Sequence, residues 1–406
     1  MTRTYKMVNI NVSIYMKTCP NCGSENVTPF FELRQVPVHD VLLIRTREDA
    51  VQFPRGDIEL AFCNDCSFIY NMAFDPGLES YSSEYEETQG FSPTFNKFHH
   101  AMADRLIDRY NLHEKDIIEI GCGKGEFITM LCELGNNRGI GFDPTYINER
   151  NISSAKKNIT FIKDFYSEKY RAYKADFICC KMTLEHIPDT AAFIRTLRNN
   201  IGDNLHTNVF FQIPDATRVF RDCAFWDIYY EHCSYFNPVS LEYLFRSNGF
   251  DVLDIRTEYD NQYLMIEAKP VSAKPDISLP SQDKIVQMKH IVTDFIKTYH
   301  DKIESWNKKV HDYRVNKQRV VIWGAGSKGV SFLTTLHINN EIPFGVDINP
   351  FKDGTYMVGT GQTIVQPGYL KAYNPDIVII MNPIYVNEIK NQLAEMNLSP
   401  ELVALT

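Results

Sequence analysis

Asp116-Ile117-Ile118-Glu119-Ile120-Gly121-Cys122-Gly123-Lys124-Gly125-Glu126-Phe127 is the stretch on which the fold turns. Its isoleucines form an apolar run too short for a helix and bounded by glycine, which reads as a buried strand. The glycines at alternate positions let the backbone turn sharply and let a ligand lie against it with no Cβ in the way. The chain then enters a helical period. A second acidic residue, Asp143, closes the next apolar run in Gly141-Phe142-Asp143, where a carboxylate can grip the two hydroxyls of a ribose. Strand, glycine turn, helix and an acid one unit later predict an adenosine-containing cofactor at the carboxyl edge of a parallel sheet.

Outward from this stretch, apolar runs over Asn137–Phe142, Asn158–Ile162, Ala175–Cys180 and Thr207–Ile213 alternate with helical periods, the signature of βαβ units. A stretch rich in proline, serine and lysine, Val271–Pro280, then reads as a linker. Beyond it Ile285, Met288, Val292, Phe295, Tyr299, Ile303, Trp306 and Val310 fall on one helical stripe. Ser281 is its expected cap, and the helix is expected to pack as a connector.

Strand–helix alternation resumes with Arg319–Trp323, Pro343–Val346 and Asp376–Met381. A second glycine turn, Gly324-Ala325-Gly326-Ser327-Lys328-Gly329, is followed by Asp347 at the end of the next strand. This spacing is that of dinucleotide sites, and taken literally it predicts NAD and an oxidoreductase. Two features argue otherwise. Fewer than ninety residues remain from Arg319 to Thr406, with no room for a separate substrate domain. Lys328 also lies inside the turn, where a cation can neutralise a substrate diphosphate beside a helix N-terminus.

Near the N-terminus, Cys19-Pro-Asn-Cys22 and Cys63-Asn-Asp-Cys66 form two paired knuckles. Four thiolates so placed can surround Zn²⁺ tetrahedrally and leave no open position, so the expected role is structural. Two redox dithiols are the competing reading. The chain has 406 residues, ten cysteines and a formal net charge of −9. The charge argues against nucleic acid as the main partner. No apolar run approaches the roughly 20 residues that span a bilayer, and Met1–Lys17 does not read as a signal peptide. Reduced thiols and the cytoplasm are expected.

Phe225-Trp226-Asp227-Ile228-Tyr229-Tyr230-Glu231-His232-Cys233-Ser234-Tyr235-Phe236 follows the run Thr207–Ile213 and is expected over the reactive end of the cofactor. It offers a base with pKa near neutrality in His232, a carboxylate to orient it in Glu231, and phenols as hydrogen-bond donors in Tyr229 and Tyr230. Tyr235 and Phe236 are expected to serve packing.

The first glycine turn, with Glu119, Gly121, Gly123, Gly125 and Asp143, resembles the first two motifs of class I S-adenosylmethionine methyltransferases. That resemblance implies that Asp164 holds the adenine amino group and that Met182, in Met182-Thr183-Leu184-Glu185-His186, lies along the cofactor's methionine. The three modules in this order are similar to the sugar C-methyltransferases. That family implies S-adenosylmethionine and a structural Zn²⁺ on Cys19, Cys22, Cys63 and Cys66. It also implies methyl transfer to a carbon, commonly C-3, beside the ketone of a 4-keto-6-deoxy sugar linked to dTDP or GDP, through an enolate.

By the same resemblance His232 is the base, Glu231 its orienter and Tyr229 a positioning group. Tyr81 belongs to a mobile lid, His186 contacts the substrate, and Ser327, Lys328 and Asn382 help hold the nucleotide sugar. The chain departs from the family in two places. The usual Tyr-His-Glu-His carries Tyr230 for its first histidine, and the usual Asn-Val-Leu-Ala-His is replaced by Met182-Thr-Leu-Glu185-His186. The rival readings are an O- or N-methyltransferase on a small molecule and the oxidoreductase.

The expected architecture is α/β: a zinc-binding module over 17–75 and a Rossmann-like class I methyltransferase domain over 76–270. A linker and connecting helix over 271–318 lead to a Rossmann-like substrate-binding domain over 319–406. Nothing in the sequence demands an oligomer.

Overall fold

The computed structural model describes residues 17–79, 82–151, 153–273 and 277–406. Its strands are β1 (Val27–Pro37), β2 (Arg55–Cys63), β3 (Ile69–Asn71), β4 (Asp116–Ile120), β5 (Arg138–Phe142), β6 (Ile159–Ile162), β7 (Phe177–Lys181) and β8 (Asn208–Pro214). They continue as β9 (Ser234–Tyr235), β10 (Phe250–Glu258), β11 (Tyr263–Pro270), β12 (Val320–Trp323), β13 (Phe344–Val346), β14 (Thr363–Val365), β15 (Ile377–Ile380) and β16 (Glu401–Ala404). Three sheets result.

The central sheet has seven strands in the order β10-β11-β8-β7-β4-β5-β6. Its five strands β6, β5, β4, β7 and β8 are mutually parallel, and β11 runs antiparallel to both β8 and β10. The apolar runs read from the sequence coincide with these parallel strands to within two residues, because strands buried on both faces need unbroken apolar sequence. The hairpin β10–β11 carried no such run. Its buried Glu267 interrupts Leu264–Ala268, and Arg105, Arg256 and the Tyr110 hydroxyl hold that carboxylate. Burial penalises the charge, yet these partners outweigh it and keep its pKa below the usual range.

A ligand crevice forms where neighbouring connections leave a parallel sheet in opposite directions. In the central sheet that point lies beyond the carboxyl ends of β4 and β7. The second sheet is all parallel, β14-β13-β12-β15-β16, and has its own switch point between β12 and β15.

The N-terminal sheet, β1-β2-β3-β9, is antiparallel. Its fourth strand is borrowed: Ile69 pairs with Tyr235 and Tyr70 with Ser234. The cysteine module is therefore closed by residues that follow directly on the Tyr229–His232 loop. Tyr235 and Phe236 are buried and contribute to separate cores.

The helix Gln282–Val315 begins after Ser281, although the Ser281 side chain makes no capping hydrogen bond. Ile285, Met288, Val292 and Phe295 pack with β1, β2 and Phe220, while Trp306 and Val310 pack in the core of the C-terminal sheet. One stripe thus ties two cores together. No helix among the described residues is long and apolar enough to cross a membrane.

Candidate active site

The first glycine turn stands at the carboxyl end of β4. Gly121 has φ +69°, and a Cβ there would lie 2.0 Å from Thr183 Oγ1. No other residue type fits that position without moving the segment after β7. Asp143 follows β5 and accepts from the backbone N–H of Gly123 at 2.8 Å, which fixes its carboxylate against the turn. Glu119 is buried and accepts from Ile128 N at 2.9 Å. It braces the following helix behind the loop, and burial raises its pKa to about 7.

Asp164 accepts from Tyr170 and from the amide of Phe165 and pairs with Lys169 at the rim. Met182 sits just past β7 with φ +49°, a strained conformation for a side chain of its size. A cleft of about 400 Å³ brings together Glu119, Gly121, Gly123, Asp143, Asp164, Met182, His186 and His232. Gly125 lies behind it with φ +81°, close against Phe161.

A second cleft, of about 250 Å³, lies between the central and C-terminal sheets and contains Ser327, Lys328, Asn382, Arg218 and Asp227. Met182, Tyr229 and Ser327 line both clefts, as do Val41 and Glu87–Gln89. The cofactor-type crevice therefore opens directly into the interdomain one.

Lys328 pairs with Asp227, which also pairs with Arg218. Burial penalises the Asp227 charge, but the two cations outweigh it and hold its pKa below the usual carboxylate range. Arg218 also pairs with Asp222, so both cations are held by acids at this end. Asn382 is exchanged with Gln262 through two amide hydrogen bonds of 3.0 Å, so it acts as a strut between the sheets rather than an open contact.

The Tyr229–His232 loop differs from the sequence expectation at one point. Glu231 does not orient His232. Its Oε1 lies 2.8 Å from His39 Nδ1 and its Oε2 accepts from Asp40 N at 2.9 Å, so both oxygens are taken. His39 lies 192 residues upstream of its partner, and no local pattern could announce it. Asp40, pushed up by burial and by Glu231, was likewise missed.

The His232 ring lies tilted 4.1 Å from that of Tyr229 and edge-on 5.0 Å from that of His186, measured between ring centroids. His186 hydrogen-bonds the backbone of Glu231. Burial, then His186 and Lys328, lowers the His232 pKa well below its ordinary value. Burial also raises that of Tyr229. The site thus presents a neutral imidazole beside a protonated phenol. Tyr230, whose hydroxyl accepts from Asp75 N at 2.8 Å, is buried against Gly56 and serves packing. Tyr81 lies outside the described residues.

At the N-terminus the four cysteine sulfurs converge. Cys19 Sγ and Cys66 Sγ are 3.7 Å apart, and Cys22 Sγ and Cys63 Sγ 3.5 Å. These separations match the roughly 3.8 Å edge of a tetrahedron with zinc–sulfur bonds of about 2.3 Å. The cluster is compatible with zinc. Asn21 donates to Ser240 O at 3.1 Å, and the knuckle rests on the central domain.

The β-strand order, the glycine turn and the paired acids define an S-adenosylmethionine-type methyltransferase fold, and the chain is a methyltransferase. A family model described as "Methyltransferase domain" matches residues 95–255, and one described as "C-methyltransferase C-terminal domain" matches 281–399.

The chain is similar to the C-methyltransferase NovU of Streptomyces niveus, 22% identical over 306 residues, which is 71% of each chain. It is 21% identical over 141 residues to the ubiquinone biosynthesis O-methyltransferase of Yersinia enterocolitica, covering 33% of this chain and 57% of that one. Among known structures, magnesium protoporphyrin IX methyltransferase of Synechocystis with bound S-adenosylhomocysteine matches with a TM-score of 0.34 at 16% identity. That match covers 44% of this chain and 84% of that one.

Proposed function

We propose that the protein transfers a methyl group from S-adenosylmethionine to a carbon, C-3, beside the ketone of a 4-keto-6-deoxy sugar linked to dTDP or GDP. The observation that carries this reading is the meeting of the two clefts at Met182, Tyr229 and Ser327, with His232 on one side and the Lys328–Arg218 pair on the other. Such a shape suits a cofactor in one cleft and a charged, two-part substrate in the other. The match of residues 281–399 to a C-methyltransferase domain supports carbon rather than oxygen as the acceptor.

S-adenosylmethionine supplies an electrophilic methyl group on a sulfonium. Gly121, Gly123 and Asp143 would bind its adenosine, with Asp143 taking the ribose hydroxyls. His232, kept neutral by burial, takes the proton from the carbon beside the ketone. Tyr229, kept protonated by burial, donates a hydrogen bond to the oxygen on which negative charge develops. The enolate carbon then attacks the methyl group. Lys328 and Arg218 face the diphosphate, helped by the N-terminus of the helix Ser327–Thr335.

Asp347 already accepts from Ala325 N at 3.2 Å and from Lys352 Nζ at 3.4 Å. Cys19, Cys22, Cys63 and Cys66 would hold a structural Zn²⁺, and a thiolate zinc site with reduced cysteines elsewhere suits the cytoplasm.

Exchange of the ring C–H in D₂O, followed by NMR with S-adenosylhomocysteine in place of the methyl donor, tests the reading. Exchange that needs this protein supports carbon acid chemistry, and its absence with both dTDP and GDP sugars contradicts it. Lys328→Ala is expected to raise KM for the nucleotide sugar about 10-fold or more, the worth of one charge-assisted hydrogen bond. Turnover at saturation and S-adenosylhomocysteine affinity should stay near those of the parent, which steady-state kinetics and calorimetry check.

A further inference from the structure

The capture of Glu231 by His39 and Asp40 leaves His232 without the carboxylate that the sequence assigns to it. Another carboxylate is close by. Glu185 is 1% exposed, lines the cofactor cleft, and neither of its carboxylate oxygens has a hydrogen-bond partner. Buried carboxylates are normally satisfied, and leaving one without a partner costs free energy. One Glu185 oxygen and one nitrogen from each of His186 and His232 lie within 4.8 Å of one another. An advance of the carboxylate by about 2 Å would bring it within hydrogen-bond reach of His232.

The backbone is already fixed for this. Glu185 sits in the 3-10 turn Leu184–His186, whose carbonyl at Glu185 accepts from Cys233 Sγ at 3.6 Å. The turn and the His232 loop are thus tied directly to each other. Glu185 also occupies the position where the resembling enzymes have alanine in Asn-Val-Leu-Ala-His.

We propose that Glu185, not Glu231, is the positioning residue for His232, orienting its ring and offsetting the charge it gains on accepting the substrate's proton. This rests on the C-methylation reading and deepens it. As the C–H bond breaks, an N–H bond forms on His232 and the electron pair passes into the enolate. The enolate carbon then bonds to the methyl group as the sulfonium C–S bond breaks and S-adenosylhomocysteine leaves. The imidazolium, facing the Glu185 carboxylate, hands its proton to that carboxylate and thence to solvent.

Other titratable groups surround the pair. His186 and Lys328 act on His232, Glu231 and His39 act on His186, and Tyr229, Tyr263 and Cys233 are close enough to Glu185 to feel its charge. Cys180 and Lys181 end β7, and Lys328 approaches from the C-terminal domain. None of them makes a hydrogen bond to the Glu185 carboxylate. Burial raises the Glu185 pKa to about 8 and lowers that of His232. At neutral pH the pair therefore holds one proton, on Glu185. The carboxylate–imidazole form, which is the competent base, grows in as pH rises through about 8.

The test uses the full-length protein, dTDP- and GDP-4-keto-6-deoxyglucose as probes, and both C–H exchange and turnover as functions of pH. The parent is expected to exchange with a rise through about pH 8. Glu185→Gln should lower the exchange rate about 100-fold at pH 9, where the parent carboxylate is ionised, and abolish that rise. Glu185→Asp should recover part of the rate together with the rise.

A Glu185→Gln protein that exchanges at the parent rate with the same pH profile overturns the proposal. If Glu185→Gln does not bind S-adenosylhomocysteine because it fails to fold, the parent's profile decides, and a profile flat from pH 6 to about 9 overturns it. A second tightly held metal ion per chain, present in the parent and lost in Glu185→Gln, would assign the cluster to a cation and overturn it as well. Failure of the parent to exchange either sugar removes the C-methylation reading itself, and this proposal with it.

Discussion

Replacing His232 with alanine is expected to lower turnover by about 10²- to 10⁴-fold, the range that a positioned general base contributes. Affinity for S-adenosylhomocysteine should remain within about twofold. The separation follows from placement. His232 reaches the cofactor cleft only at its junction with the second cleft, beside Tyr229 and His186, while Gly121, Gly123 and Asp143 stand at the carboxyl ends of β4 and β5. Burial keeps the imidazole unprotonated, the form in which it can take a proton from carbon. Single-turnover kinetics and calorimetry on the variant check both halves. Near-normal turnover would remove His232 from the base role.

The second large effect concerns the four cysteines. Cys66→Ser is expected to reduce zinc content from one ion per chain to well below one and to lower Tm by more than about 10 °C, or to prevent soluble expression. Structural zinc contributes about 10–16 kcal/mol in small peptide sites, comparable with the whole stability of a typical domain. The damage should not stay in the module. β3 pairs with β9, and β9 follows the His232 loop directly, so loss of the cluster is expected to loosen His232 as well. Metal analysis and a thermal scan of the purified variant check this. A metal-free, fully stable and active Cys66→Ser protein would contradict it.

Much of this arrangement was legible in the sequence, and the pattern of what was not has a physical cause. Buried parallel strands such as Ile117–Ile120 and Phe177–Cys180 announce themselves because both faces need apolar side chains. The glycine turns announce themselves because positions such as Gly121 tolerate no Cβ. The paired cysteines announce themselves by their spacing, and the fold brings their four sulfurs together.

The N-terminal antiparallel sheet did not show. Its strand β1 has two register irregularities that break any two-residue alternation, and the sheet's last strand, Ser234–Tyr235, comes from far along the chain. The hairpin β10–β11 was hidden by Glu267, a buried charge whose partners lie on another element. Within the site, residue types were readable but pairings were not. Glu231 stands beside His232 in sequence and yet binds His39, because a turn points neighbouring side chains in different directions. Arg218 and Asp227, which set the charge around Lys328, carry no motif at all. Tertiary contacts decide such roles, and local spacing does not encode them.

The central claim is a methyltransferase whose two clefts take an adenosine cofactor and a nucleoside diphosphate sugar. Thermal stability of the purified protein with S-adenosylhomocysteine, dTDP, GDP, UDP and NAD, each alone, tests it most directly. A ligand at 100 times its Kd stabilises by about 2.7 kcal/mol, which shifts Tm by about 3 °C in a chain of this size. The account predicts such a shift with S-adenosylhomocysteine and with either dTDP or GDP, and none with NAD. A shift with NAD and none with S-adenosylhomocysteine would contradict it.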